Sequence, residues 1–376
     1  MILSAVAGIV IVAGVLWEAF ETVVLPRRVT RRWRLTRTYY RGIWFPWRKI
    51  ASVLPSVKQR EGFLSIFGPL SLLMLFVLWA ATLIVGFGLL YYSASGRDST
   101  SPSLETCLYL SGTTLFTLGL GDVTPHTTAE RILAVTESGL GFGFLALVLS
   151  YLPVIYQAFS RRETNIVLLD ARAGSPPTAG ELLRRHAGPI GLDALQQLLH
   201  EWERAAAEIL ESHISYPAVC YFRSQHNNES WLGALAAILD SSALLIAGTE
   251  GTCARQARLT FAMCRHTVAD LAQVFSAAPH GMSAKRLSPA DLHRLRESLA
   301  NAGLKLRDTP EADQKLAELR HMYEPYLEAL AKYLYVELPP WILSQTVTDN
   351  WRTTAWGRIT GFSVPSHEEK KRDDHN

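Results

Sequence analysis

Ser103-Leu-Glu-Thr-Cys-Leu-Tyr-Leu-Ser-Gly-Thr-Thr-Leu-Phe-Thr117-Leu-Gly-Leu-Gly-Asp122-Val-Thr-Pro125 decides how the whole chain is read. Ser101 or Ser103 caps a helix, Pro102 suits its first turn, and Glu105 complements its positive end. The apolar stretch then stops at Phe116, short of the ~20 residues that a membrane span needs. A helix that enters an apolar medium and stops midway must be followed by backbone buried in protein or lining water. Thr117–Gly121 is that backbone, and Gly119 and Gly121 allow it left-handed conformations.

Long apolar runs flank this stretch. Leu70–Tyr92 carries no charge, and Ile132–Phe159 carries only Glu137. A third run, Met1–Trp17, continues through Glu18 and Glu21 to Leu25; it lacks a basic leader region and a small-residue cleavage site, and reads as a membrane helix. Glu18 and Glu21 share a face and are expected to pair with Arg27 or Arg28. Residues 26–60 hold eleven Lys/Arg and no acid, which places that loop in the cytoplasm. The N-terminus and the segment 93–131 then lie outside, and everything after Arg161 lies inside. Arg161 and Arg162 close the run Ile132–Phe159 on the same side.

Here the sequence resembles the pore loop of potassium channels, whose commonest signature is Thr-Val-Gly-Tyr-Gly-Asp. The resemblance covers roughly residues 65–160 and includes Val123-Thr-Pro125. It implies that Thr117, Leu118, Gly119, Leu120 and Gly121 bind K+ through their carbonyls, with the Thr117 hydroxyl adding an oxygen at the inner end. Leu118 replaces the branched Val, and Leu120 replaces the Tyr whose hydroxyl normally anchors the filter. Second pore loops of two-pore-domain potassium channels also read Gly-Leu-Gly. Tyr109, on the pore helix, is placed to bond Asp122 and restore some bracing. Glu137 is expected to brace the filter from behind. Gly139, Gly141 and Gly143 fall where an inner helix of this family bends to open, and Gly139 and Gly143 also form a G-x-x-x-G packing pattern.

The fold class expected is an all-α membrane protein with three transmembrane helices, one re-entrant pore helix and a cytosolic all-helical domain. Its parts are a peripheral first helix (1–25), a basic interfacial segment (26–62), a pore domain (63–160), a helical domain (161–362) and a disordered tail (363–376). The pore domain divides into a helix over 63–92, a pore helix over 103–116, the filter over 117–122 and an inner helix over 130–159. Arg28, Arg31, Arg34 and Arg37 recur every third residue, but Val29–Tyr40 is too short and polar to cross as a voltage sensor. Trp and Tyr mixed with Arg and Lys through 27–60 instead suit a helix resting on membrane lipids.

Beyond Arg162 the chain turns polar. Ala171–Gly180 reads as a linker, and Thr178-x-x-Glu181 as a capping box. Helical periodicity runs through 192–210, 231–246, 254–275, 288–302 and 310–336. Leu195, Leu198, Trp202, Ala205 and Ile209 also fit a heptad seam of the kind that joins subunits, but two heptads are too few to establish one. Eight histidines from His186 to His321 show no metal-ligand spacing and read as surface residues, and four cysteines read as reduced thiols. The net charge of +3 is too small to imply nucleic acid, and no motif marks an enzyme or a cofactor. One pore loop per chain implies a homotetramer, with K+ as the permeant ion and the ligand of the cytosolic domain unknown. The alternatives are a weakly selective cation channel and a non-conducting membrane-anchored sensor or interaction protein in the cell membrane.

Overall fold

Three long apolar runs, one at the start of the chain and one on each side of the short helix near residue 110, form three long helices. The computed structural model describes residues 2–24, 35–95, 102–226, 228–279 and 286–343. Arg27, Arg28, Arg31, Arg34, Ser101 and the tail 363–376 lie outside the described residues. The described residues are helical, with no strand among them, and they divide into two units. One holds residues 1–159 and 215–222, the other 160–214 and 223–376.

In the first unit, α1 (Ile2–Ala19) runs into a π-turn at Phe20–Val24. It packs on α3 (Val57–Ala94) through two glycines: a Cβ on Gly8 would meet the Gly86 carbonyl oxygen at 2.7 Å. Glu18 accepts the Thr36 amide at 2.8 Å, and so neutralises the amide end of α2 (Leu35–Val53). Glu21 accepts from the Trp17 indole at 2.8 Å. Helix α2 is amphipathic, with Tyr40, Trp44 and Ala51 buried and Arg41 and Lys49 exposed. Trp47 stacks on Phe63 of α3 at 4.3 Å, and the Tyr39 hydroxyl donates to the Ser71 carbonyl at 2.8 Å.

Helix α4 (Leu104–Leu115) has 12 residues, about 18 Å at 1.5 Å per residue, against a hydrocarbon core of about 30 Å. It cannot cross. Helix α5 (Thr128–Ala173) has 46 residues and continues well past the expected end at Phe159. Its last, more polar part, residues 160–173, belongs to the other unit, whose own core supports it after the apolar run ends.

The second unit is built from the end of α5, α6 (Ala179–Arg185), α7 (Pro189–Ser215, to Ile214), α8 (Trp231–Gly248), α9 (Thr252–Phe275), α10 (Pro289–Asn301) and α11 (Pro310–Leu334). Among the described residues four helices are long and apolar enough to cross a membrane, and α8 is the fourth. Within the protein 89% of its apolar window is buried, against 22%, 50% and 11% for α1, α3 and α5. Its Asp240 is also paired, with Arg286 at 2.5 Å and with the Tyr323 hydroxyl at 2.6 Å. Glu324 joins the same cluster, 3.3 Å from Arg286.

Two expectations are corrected here. Ala171–Gly180 is no exposed linker: Ala173, Ser175, Thr178 and Ala179 are buried, and the Gly180 amide donates to the Trp341 carbonyl at 2.9 Å. The turn residues are there to let α5 fold back onto its own core. His186 and His213 are buried, not surface residues. Leu195, Leu198, Trp202, Ala205 and Ile209 are all buried within the subunit, so the heptad seam is spent on the unit's own core and is not free to join copies. All four cysteines are buried, and none forms a disulfide.

Candidate functional site

Helix α4 begins where Ser103 accepts the Thr106 amide at 3.2 Å, with Glu105 in the first turn. Its end is more informative. The Thr117 amide donates to the Thr114 carbonyl (3.0 Å) and the Leu118 amide to the Thr113 carbonyl (2.8 Å). This paired arrangement is a Schellman ending, which requires a left-handed residue at Thr117. Thr117 indeed has φ +56°. Gly119 follows at +57° and Gly121 at +80°, while Leu118 and Leu120 stay at negative φ. The backbone therefore alternates in hand from 117 to 121, starting at the helix end itself. The left-handed state of Thr117 was the one term that glycine counting missed, because threonine rarely adopts it.

The Leu118 and Leu120 side chains are 60% and 64% exposed in the single chain. An ideal Cβ on Gly119 or Gly121 meets nothing within 4 Å. Beyond the loop, the Tyr109 hydroxyl donates to Asp122 Oδ2 at 2.8 Å and ties the far end of the loop back to α4.

Behind α4 lies a cluster of Phe87, Tyr91, Cys107 and Leu110, with Val12, Leu90, Val123, Leu133, Ala134 and Leu140 packed against it. Glu137 of α5 is wholly buried, and Ser111 of α4 donates to its Oε1. The buried Tyr91 hydroxyl faces the same carboxyl group. Of the three α5 glycines Gly139, Gly141 and Gly143, Gly141 is the point of closest approach: a Cβ there would overlap the carbonyl of Leu115, the last residue of α4. Gly139 and Gly143 have nothing within 4 Å. Thr127 and Glu130 form a capping box at the start of α5, since the Glu130 amide donates to Thr127 Oγ1 (3.2 Å) and Glu130 Oε2 accepts the Thr127 amide (2.9 Å). Thr-x-x-Glu in the sequence signals it. Glu130 also accepts from the His126 amide and from Ser95, joining the C-terminal end of α3 to the N-terminal end of α5. No group of three His, Cys, Asp or Glu side chains among the described residues is arranged to hold a metal ion.

Residues 73–157 match a family model described as an ion channel. An uncharacterized membrane protein of Bacillus subtilis, YdjJ, is 24% identical over 215 residues, 55% of this chain and 60% of that protein. Protein LctB of Geobacillus stearothermophilus is 35% identical over 91 residues, 21% of this chain and 67% of that protein, and LctB of Bacillus caldotenax is 33% identical over the same shares. The chain thus spans only 60% of the length of its first relative and two thirds of the other two. No solved structure matches it.

Proposed function

We propose that this chain, whose residues 73–157 match an ion channel family model, is a potassium channel subunit whose filter is the backbone of Thr117, Leu118, Gly119, Leu120 and Gly121. The observation that carries this reading is the alternation of φ along Thr117–Gly121, directly after a helix too short to cross. Alternating hand turns successive carbonyls toward one side, which is what replacing the water shell of an ion requires. The rest of the site supports holding that backbone still. Asp122 is tethered by Tyr109, and Glu137 by Ser111.

Four copies complete the proposed path, since one loop offers carbonyls from one side only. Leu118 and Leu120, exposed in the single chain, are then covered by neighbouring subunits. In this reading α1, α3 and α5 span, the N-terminus and residues 93–131 lie outside, and α8 stays in the cytoplasm as the core of the second unit. The basic face of α2, with the rest of 27–60, rests on the inner leaflet among anionic headgroups. K+ is the only ligand proposed, as permeant ion.

Leu120 favours a second reading, a weakly selective cation channel, because a leucine supplies no hydroxyl to anchor the filter from the side. Reconstitution of the full chain into liposomes separates the readings. K+ flux with little Na+ flux is expected. Equal fluxes favour the second reading, and no cation flux from tetrameric protein overturns both.

A further inference from the structure

Residues 215–222 follow α7 in sequence, yet they belong to the membrane unit. Pro217–Tyr221 form a single 3₁₀ turn, and Ala218, Val219, Cys220, Tyr221 and Phe222 are buried. Tyr221 stacks on Tyr40 at 5.4 Å and 6°, and lies against Trp44 (5.1 Å) and Phe67 (5.2 Å). The segment is therefore seated on α2 and α3. Its two other aromatics reach α5. Tyr216 meets Tyr151 at 5.6 Å, and Phe222 meets Tyr156 at 6.2 Å and Phe159 at 5.7 Å.

These contacts bracket Pro153, which lies inside α5. A proline there removes the hydrogen bond to the Leu149 carbonyl and clashes with it, so α5 is weakest in the turn from Leu149 to Pro153, the turn that holds Tyr151. The chain on either side of the segment is tied to the next turns of the same helix. Arg162 lies 3.3 Å from His213, while Glu163 accepts from Ser224 (3.1 Å) and from the Gln225 amide (3.2 Å). Glycine also prepares the seat: a Cβ on Gly68 would meet the Phe222 ring at 2.7 Å.

We propose that residues 215–222 are a gating strap: they splint α5 across Pro153 against the fixed α2–α3 pair, and set how readily the inner end of the pore opens. The inference rests on the pore reading for its electrical consequence but not for its structural one. Releasing the strap frees α5 to bend at the proline. The filter lies far along the chain from it and keeps its geometry, so gating changes and selectivity does not.

The test uses the full-length protein in bilayers. Phe222→Ala and Gly68→Ala are each expected to change open probability by about tenfold, a population shift of ordinary size for a two-state element, with the K+/Na+ reversal potential unchanged. Because the Gly68→Ala methyl acts by displacing the Phe222 ring, the double variant is expected to match Phe222→Ala alone. Unchanged open probability in both variants, or effects that simply add, overturns the strap. Phe222→Leu, which keeps apolar bulk, is expected to restore most of the wild-type behaviour if Phe222→Ala assembles poorly. Hydrogen exchange reads the strap without any current. Amides 154–163 are expected to exchange about tenfold faster in Phe222→Ala, with 104–115 unchanged. Absence of current in the wild type sinks the pore reading, and exchange then decides the strap alone: equal rates at 154–163 overturn it.

Discussion

Tyr109 and Asp122 are joined by a 2.8 Å hydrogen bond that closes the loop following α4 onto the helix it came from. The phenol donates to a carboxylate, and a charged acceptor makes for the stronger kind of hydrogen bond. In the proposed channel the bond fixes the outer end of the filter. Tyr109→Phe keeps the ring and removes only the donor, so K+ current is expected to persist with shorter openings. Asp122→Asn is expected to act likewise, and the double variant to be no worse than either. Single-channel dwell times check this, and wild-type dwell times in both single variants exclude the tether.

Gly119 sits at φ +57° with open space around its Cβ position. An alanine there meets no clash within the subunit, and its cost is conformational, about 1–2 kcal/mol in each copy. Four strained copies around one axis are expected to abolish K+ conduction while the assembly stays intact. Leu120→Tyr keeps a negative φ and is expected to retain current with K+ preference equal or higher. Reversal potentials with K+ and Na+ on opposite sides measure both. Unchanged current in tetrameric Gly119→Ala means that ions pass elsewhere.

Gly141 differs from its two neighbours in kind. A methyl group on it overlaps the Leu115 carbonyl, which is backbone and has little room to give. Gly141→Ala is expected to part α5 from the end of α4 and to destabilise the fold by about 1–3 kcal/mol, as overpacked cores do. Gly139→Ala and Gly143→Ala meet nothing within 4 Å inside the subunit. Each gains up to about 1 kcal/mol of helix propensity. Thermal unfolding in detergent orders the three, and equal midpoints for all of them contradict the contact.

Helix α8 tests the membrane topology. All four native cysteines are buried, so a single introduced thiol reports its own side of the membrane. In intact cells a cysteine at Thr128 is expected to react with an impermeant reagent, and cysteines at Thr38 and Glu250 are not. Glu250 follows directly after α8, so labelling there without labelling at Thr38 shows that α8 crosses.

His213 carries a pH dependence whose sign is fixed by its surroundings. Complete burial, and then the Arg162 guanidinium beside it, hold the imidazole pKa well below the usual 6.5. Arg162 Nη1 lies 3.3 Å from Nε2, a contact that needs the neutral ring's lone pair. The unfolded chain takes up this proton first as pH falls. The stability that the neutral ring contributes is therefore complete above about pH 6.5 and declines below it. Full-length protein is expected to lose thermal stability from pH 7.5 to pH 5.5 more steeply than a His213→Gln variant. Parallel curves refute the assignment.

What the sequence determined by itself is everything that local rules govern. Apolar run length settled that α1, α3 and α5 are long enough to span and that α4 is not. Ser103 and Thr178 mark helix starts because a cap acts within three residues. Gly119 and Gly121 mark left-handed backbone because only glycine enters it freely. Tyr109 and Asp122 are close enough in sequence to be paired on paper. The tertiary structure alone decided the pairings that loop closure makes: Ser111 with Glu137, Arg286 with Asp240 and Glu324, and Arg162 with His213. It also made α8 an enclosed core helix, which apolar content cannot distinguish from a span. Likewise it returned Tyr216–Phe222 to the membrane unit, although their composition resembles any other short turn. Burial is a property of what packs around a residue, and partners distant in sequence leave no local signal of their own.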